Sequence, residues 1–192
     1  MARWEPGARE RLVLAAVDLF GEQGYDATTV AQIADRAGVT KSTFFRYFPD
    51  KRELLAAGQD ALARLLTEGI AEAPADAGPL AAMAAGLTRA ASSMGPTNRE
   101  IAPRVKAAIA ASTELQQRDA LKIVSLAAAV VDALVARGVP PTTAHLVGEL
   151  GSLAFKLGFA AWTEQDDGSG DALARLTVAA LDDLHRATRD LA

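Results

Sequence analysis

Between Gly38 and Pro49 the chain has room for about two turns of helix and no more, and this confinement limits what the surrounding sequence can become. Ala37-Gly38-Val39 reads as a helix-ending turn: glycine tolerates the left-handed backbone that closes helices, and Val39 is apolar enough to anchor the turn from beneath. Thr40 is placed to cap the helix that follows, and Pro49 stops it. Within that helix Phe44 and Phe48 lie four residues apart and point to a core, so Lys41, Ser42, Phe45 and Arg46 face outward. A helix this short has little stability of its own. One that displays lysine, hydroxyl and guanidinium groups outward is expected to present them to a partner, and double-stranded DNA is the partner such groups suit.

A second short helix is expected just upstream. Thr29 and Gln32 have capping-box spacing, in which the threonine oxygen accepts from a backbone N–H and the glutamine reaches back. Val30, Ile33, Ala34 and Ala37 then recur at helical spacing. Two short helices joined by a few residues that include glycine make a helix-turn-helix, whose second helix enters the major groove. The charge pattern agrees. Arg36, Lys41, Arg46, Lys51 and Arg52 face a single acid, Asp50, in a chain that carries 20 basic and 24 acidic residues and a net charge of -4. A basic patch on an acidic protein is a local feature with a local purpose.

The stretch from Leu12 to Leu55 resembles the DNA-binding domain of TetR-type (tetracycline-repressor-like) transcriptional regulators. The run Thr29-Val30-x-x-Ile33-Ala34-x-x-Ala37-Gly38-Val39-Thr40-x-x-Thr43, followed by Phe44, Tyr47-Phe48 and Lys51, carries the resemblance. By position it implies that Thr29, Thr40, Thr43, Tyr47 and Lys51 touch phosphates while Lys41, Ser42, Phe45 and Arg46 face base edges. Phe45 stands where the family often has tyrosine, which removes a hydroxyl. Arg46 replaces a frequent histidine, which adds a permanent charge and a candidate guanine reader. The resemblance further implies an all-α fold of about nine helices, with a three-helix head and a helical ligand-binding and dimerisation domain behind it. It also implies a homodimeric repressor that a small apolar effector releases from operator DNA.

Taken in order, residues 1–8 are expected to form an N-terminal arm, with Arg3 and Arg9 within reach of a neighbouring minor groove. Leu12, Ala16, Leu19 and Phe20 form the stripe of a first helix that ends near Gly21 to Gly24. After Pro49, Asp50 caps a fourth helix whose buried face carries Leu54, Leu55, Leu62, Leu65, Leu66 and Ile70. It leads out of the head and is the natural lever between the domains, which divide as residues 1–52 and 53–192. From Pro79 onward there is helical patterning alone, punctuated at Gly95-Pro96, Gly138 to Pro141 and Asp167 to Gly170. Helices are expected at 79–94, 98–111, 114–137, 142–164 and 171–190.

The 142–164 helix is apolar almost all round. Leu146, Leu150, Leu153 and Leu157 form one stripe, a small-residue stripe runs beside it, and Phe155, Phe159 and Trp162 form a bulky third. Small residues let another helix approach closely. Val147, Gly151, Ala154 and Gly158, with Leu173, Leu176, Ala180 and Leu184 of the last helix, are therefore the expected dimer interface, a four-helix contact across a two-fold axis. The third stripe suggests an apolar ligand pocket formed with Met83, Leu87, Met94, Ile109, Leu121, Val124 and Ala128.

Catalysis finds no support. His145 and His185 belong to no metal-ligand spacing, there is no phosphate-cradling glycine loop or nucleophile elbow, and there is no cysteine. No enzyme activity, metal or cofactor is expected. The absence of a signal peptide or apolar membrane run leads to an expectation of a cytoplasmic protein. The rival to ligand control is a ligand-independent DNA-binding protein whose second domain serves only dimerisation or protein contacts.

Overall fold

The computed structural model describes residues 7–190, apart from the side chains of residues 56 and 57. The sequence-based expectation for Arg3 lies outside the described residues. Nine α-helices and no strand occur among the residues described. They are α1 Ala8–Gln23, α2 Val30–Arg36, α3 Lys41–Tyr47, α4 Glu53–Glu72, α5 Pro79–Ser92, α6 Pro96–Ala110, α7 Thr113–Ala136, α8 Pro141–Thr163 and α9 Gly170–Arg189. The expected all-α architecture is the one observed. Two starts differ by two residues: α4 begins at Glu53 and not directly after Asp50, and α6 begins at Pro96 and not at 98, because a proline without an N–H fits the first helical position.

The chain forms two compact units. One comprises the chain through Gly58 together with Glu100–Lys122, and the other comprises Gln59–Arg99 together with the chain from Ile123. The sequence-based division at 52/53 leaves residues 100–122 out of the head. In the structure Ala108 of α6 and Leu115 of α7 are buried in the head's core, beside Leu12, Ala16, Leu19, Phe20, Ile33, Phe44, Phe48 and Leu54. Polar contacts reinforce this packing. Arg104 pairs with Asp18, Arg118 with Glu53, and the Tyr25 hydroxyl donates to the Glu114 carboxylate at 3.2 Å. Burial, with the Glu114 charge beside it, raises the Tyr25 hydroxyl well above its usual pKa and keeps it a donor.

In the second unit α8 packs on α9 and α5, around a core that includes Met83, Leu87, Val130, Leu134, Val147, Ala154 and Leu181. A separate cluster gathers Trp162, Leu173 and Ala172 with the half-buried Met94, Phe159 and Leu176. The Trp162 indole N–H is buried there and donates to the Ser169 carbonyl at 3.0 Å, which satisfies its one polar group.

Candidate nucleic-acid interface

Local hydrogen bonds explain how α3 is held. At Thr29 the capping box is complete: its hydroxyl oxygen accepts from the Gln32 backbone at 3.3 Å, and Gln32 accepts from the Thr29 backbone at 2.8 Å. The turn after α2 is a Schellman motif. Gly38 adopts φ 67°, the Val39 N–H reaches the Ala34 carbonyl at 2.9 Å, and the Gly38 N–H reaches Asp35 at 3.1 Å. Thr40 then caps α3 by accepting from the Thr43 N–H at 3.1 Å. Beneath the helix Phe44 and Phe48 are buried, with ring centroids 5.8 Å apart. Turn, cap and aromatic anchors fix the helix, so its outer face is pre-set.

That face carries Lys41, Ser42, Phe45 and Arg46, all exposed. Of the five basic residues in the region, three are already engaged. Arg36 makes a two-pronged ion pair with Glu22 at 2.9 and 2.8 Å, and this contact holds the Glu22 carboxyl below the usual carboxylate range. Arg52 pairs with Asp50 at 2.5 Å and lies 3.6 Å from Glu114. Lys51 donates to the carbonyls of Tyr25 at 2.7 Å and Thr28 at 3.1 Å, and its ammonium sits 4.0 Å from the Tyr25 ring centroid. It therefore pins the α1–α2 connection. Lys41 and Arg46 have no acidic partner among the described residues, and the Arg46 guanidinium lies 5.2 Å from the Tyr47 ring centroid. The long-range partners of Arg36 and Lys51 leave no local signal in the sequence. Thr29, Thr40 and Thr43 stand at the helix starts with their hydroxyls in caps, and Tyr47 is half-buried. Arg9 is exposed, with its guanidinium 5.6 Å from the Phe48 ring.

The second unit holds a cavity of about 140 Å³ between α4, α5, α7 and α8. Leu62, Leu66, Met83, Leu126, Val130 and Phe155 supply much of its apolar wall, and Glu149 and Ser152 are its polar lining residues. Of the residues assigned to a pocket from sequence, Met83 and Phe155 line it. Leu87 is core, while Met94, Phe159 and Trp162 form the separate aromatic cluster. Ile109 packs in the head, and Leu121, Val124 and Ala128 face solvent.

The small-residue stripe of α8 is already covered from within the chain. Val147, Gly151, Ala154 and Gly158 are buried, as is Leu173 of α9; Leu176, Ala180 and Leu184 are half-buried. A Cβ at Gly158 would stand 2.6–2.7 Å from atoms of Thr177, and one at Gly151 would meet the Met83 side chain. These residues bring α8 close to its own neighbours. The face left open is the leucine stripe, with Leu146 55%, Leu153 42% and Leu157 47% exposed and Leu150 half-buried between them.

A short capped helix held over a Schellman turn, with a cationic outer face, defines a helix-turn-helix protein. Residues 12–57 match the family model of bacterial regulatory proteins, tetR family, so the head resembles that of TetR-type regulators. The chain is 39% identical over 75 residues to the HTH-type transcriptional regulator TcmR of Streptomyces glaucescens, covering 39% of this chain and 33% of that protein. It is 40% identical over 74 residues to the HTH-type transcriptional regulator BetI of Stenotrophomonas maltophilia, covering 38% of each. Both matches therefore span well under half of the relative. Over 96% of its length the fold resembles a putative transcriptional regulator from Pseudomonas aeruginosa PAO1, at TM-score 0.59 and 18% identity, with 94% of that chain covered. TcmR and BetI are transcriptional regulators. No helix among the described residues is long and apolar enough to cross a membrane.

Proposed function

We propose that the protein is a DNA-binding transcriptional repressor that acts in the cytoplasm as a homodimer and is released from its operator by a small apolar effector. The observation that carries this reading is the outer face of α3, where Lys41, Ser42, Phe45 and Arg46 stand exposed on a helix locked by Thr40 and the Gly38 turn. Thr29, Thr40, Thr43, Tyr47 and Lys51 position the head on phosphates in this reading, and the four outer residues read base edges.

The dimer contact is the leucine face of α8. Leu146, Leu150, Leu153 and Leu157 recur at alternating spacings of four and three residues, the pattern of a helix that pairs along its length. Two copies joined there would present two heads to successive major-groove faces about 34–36 Å apart. The effector occupies the cavity between α4, α5, α7 and α8. Its 140 Å³ supports a ligand group of about the size of a benzene ring, since a dry cavity of about 150 Å³ accepts benzene. α4 begins in the head, and Leu62 and Leu66 of its middle turns line the cavity, which makes it the lever by which a ligand alters head spacing.

Selection from a random pool of duplex DNA tests the reading. The expected product is a two-fold symmetric site with half-sites 10–10.5 base pairs apart, or a multiple of that spacing. A pool that emerges without enrichment defeats it.

A further inference from the structure

We propose that Phe45 is a specificity-determining residue that reads the C5-methyl group of a thymine in each operator half-site. The inference rests on the DNA-binding reading above and deepens it. Phe45 is 55% exposed at the centre of the outer face of α3, one helical turn from Lys41 and Ser42 and next to Arg46. The hydrophobic core of the head does not need it: Phe44 and Phe48 supply the buried aromatic anchors. Its ring is nevertheless held, meeting the buried Phe44 edge-on with centroids 5.3 Å apart and planes at 80°.

A fixed, exposed aromatic ring among cationic and hydroxyl groups suits a partner that is both polyanionic and locally apolar. Double-stranded DNA meets both conditions. Its polyanionic backbone draws in a cationic face, and no acid stands on this face of α3 to oppose it. In the major groove the base edges show acceptors and donors, and the thymine methyl is the one apolar feature among them. A phenylalanine has no polar atom with which to read the other edges. It desolvates them without return and so selects against them, while it gains apolar contact at thymine. Lys41 and Arg46 are the groups able to read guanine beside it.

The test is a thymine-to-uracil scan of the operator selected from the random pool, since uracil keeps every hydrogen-bonding group of thymine and loses only the methyl. Wild-type protein should lose about fourfold in affinity at one thymine position in each half-site, the value expected for one buried methyl-sized group. Replacing both symmetry-related thymines should cost about 15-fold. Phe45→Ala should bind thymine and uracil operators alike, and Phe45→Leu should retain part of the discrimination. Circular dichroism of both variants checks that the head remains folded, and the wild-type scan stands even if they do not fold. Should wild-type protein enrich an operator yet bind it equally at every uracil position, the methyl reading fails and the DNA reading survives. Retained discrimination in folded Phe45→Ala overturns it equally. A pool with no enrichment refutes both.

Discussion

Gly158→Ala separates the inner face of α8 from its outer one. The added methyl would stand 2.6 Å from Thr177 Cγ2 and 2.7 Å from the Thr177 backbone. Thr177 is fully buried and its backbone lies within α9, so a side-chain rotation cannot remove the clash. To restore a carbon contact of ~3.5 Å, α9 must retreat by roughly 0.8 Å. Overpacking of this kind costs about 1–3 kcal/mol. At about 2–4 °C per kcal/mol for a chain of this size, the melting temperature should fall by ~2–12 °C. Leu153→Arg on the outer face should instead leave a folded protein of half the wild-type solution mass, because it places charge in the proposed contact between copies. Thermal melts at fixed protein concentration, paired with light scattering well below the melting temperature, read both variants. If Gly158→Ala melted like wild type and became monomeric, the small stripe would be the contact between copies and its assignment to the inner packing would be wrong.

Other outcomes follow from the head and the cavity. Lys51→Ala should lower the urea midpoint, since its ammonium donates to Tyr25 and Thr28, and charged hydrogen bonds of this kind are worth about 1.5–3 kcal/mol. If Lys51 also serves as a phosphate contact, the same change weakens binding to all sequences alike and flattens the salt slope by about one unit. Asp50 accepts from the Arg52 side chain and from the N–H groups of Arg52 and Glu53, which depress its carboxyl below the usual range against the opposing effect of burial. A depressed carboxyl stabilises the fold above its ordinary pKa and loses that contribution as the pH falls through its folded value. Acid titration should therefore loosen the start of α4, and Asp50→Asn should show a weaker acid dependence when protease cleavage near residue 53 is followed. An effector that lowers operator affinity must itself bind more weakly when operator is present, by the same factor, typically about 5–150-fold. Identical affinities with and without operator would exclude that compound as the effector.

What could be read from the sequence was local. Thr29–Gln32, Ala37-Gly38-Val39, Thr40 and Pro49 carry their geometry within a few residues, so the caps, turn and outward face of α3 emerge in the structure as expected. The contribution of α6 and α7 to the head was hidden because it rests on Ala108 and Leu115 and on pairs such as Arg104 with Asp18, all far apart in sequence. Periodicity shows that α8 has three apolar faces but not what covers each. The glycine face packs on α5 and α9 within the chain, and the leucines remain open. The pocket assignment met the same limit. Phe155 and Trp162 lie on one helix only seven residues apart, yet Phe155 lines the cavity while Trp162 is locked into a separate cluster by its bond to Ser169.

The central claim is that the outer face of α3 reads sequence while other groups only position the head. Fluorescence anisotropy with the selected operator and with random duplex, at one stated salt concentration, measures the ratio of the two affinities directly. Lys41→Ala and Arg46→Ala should each reduce that ratio, by an amount corresponding to ~1–3 kcal/mol where the lost contact is bidentate. Equal losses on operator and random DNA for both variants would show that these residues meet phosphates alone, and the assignment of α3 as the reading helix would fall.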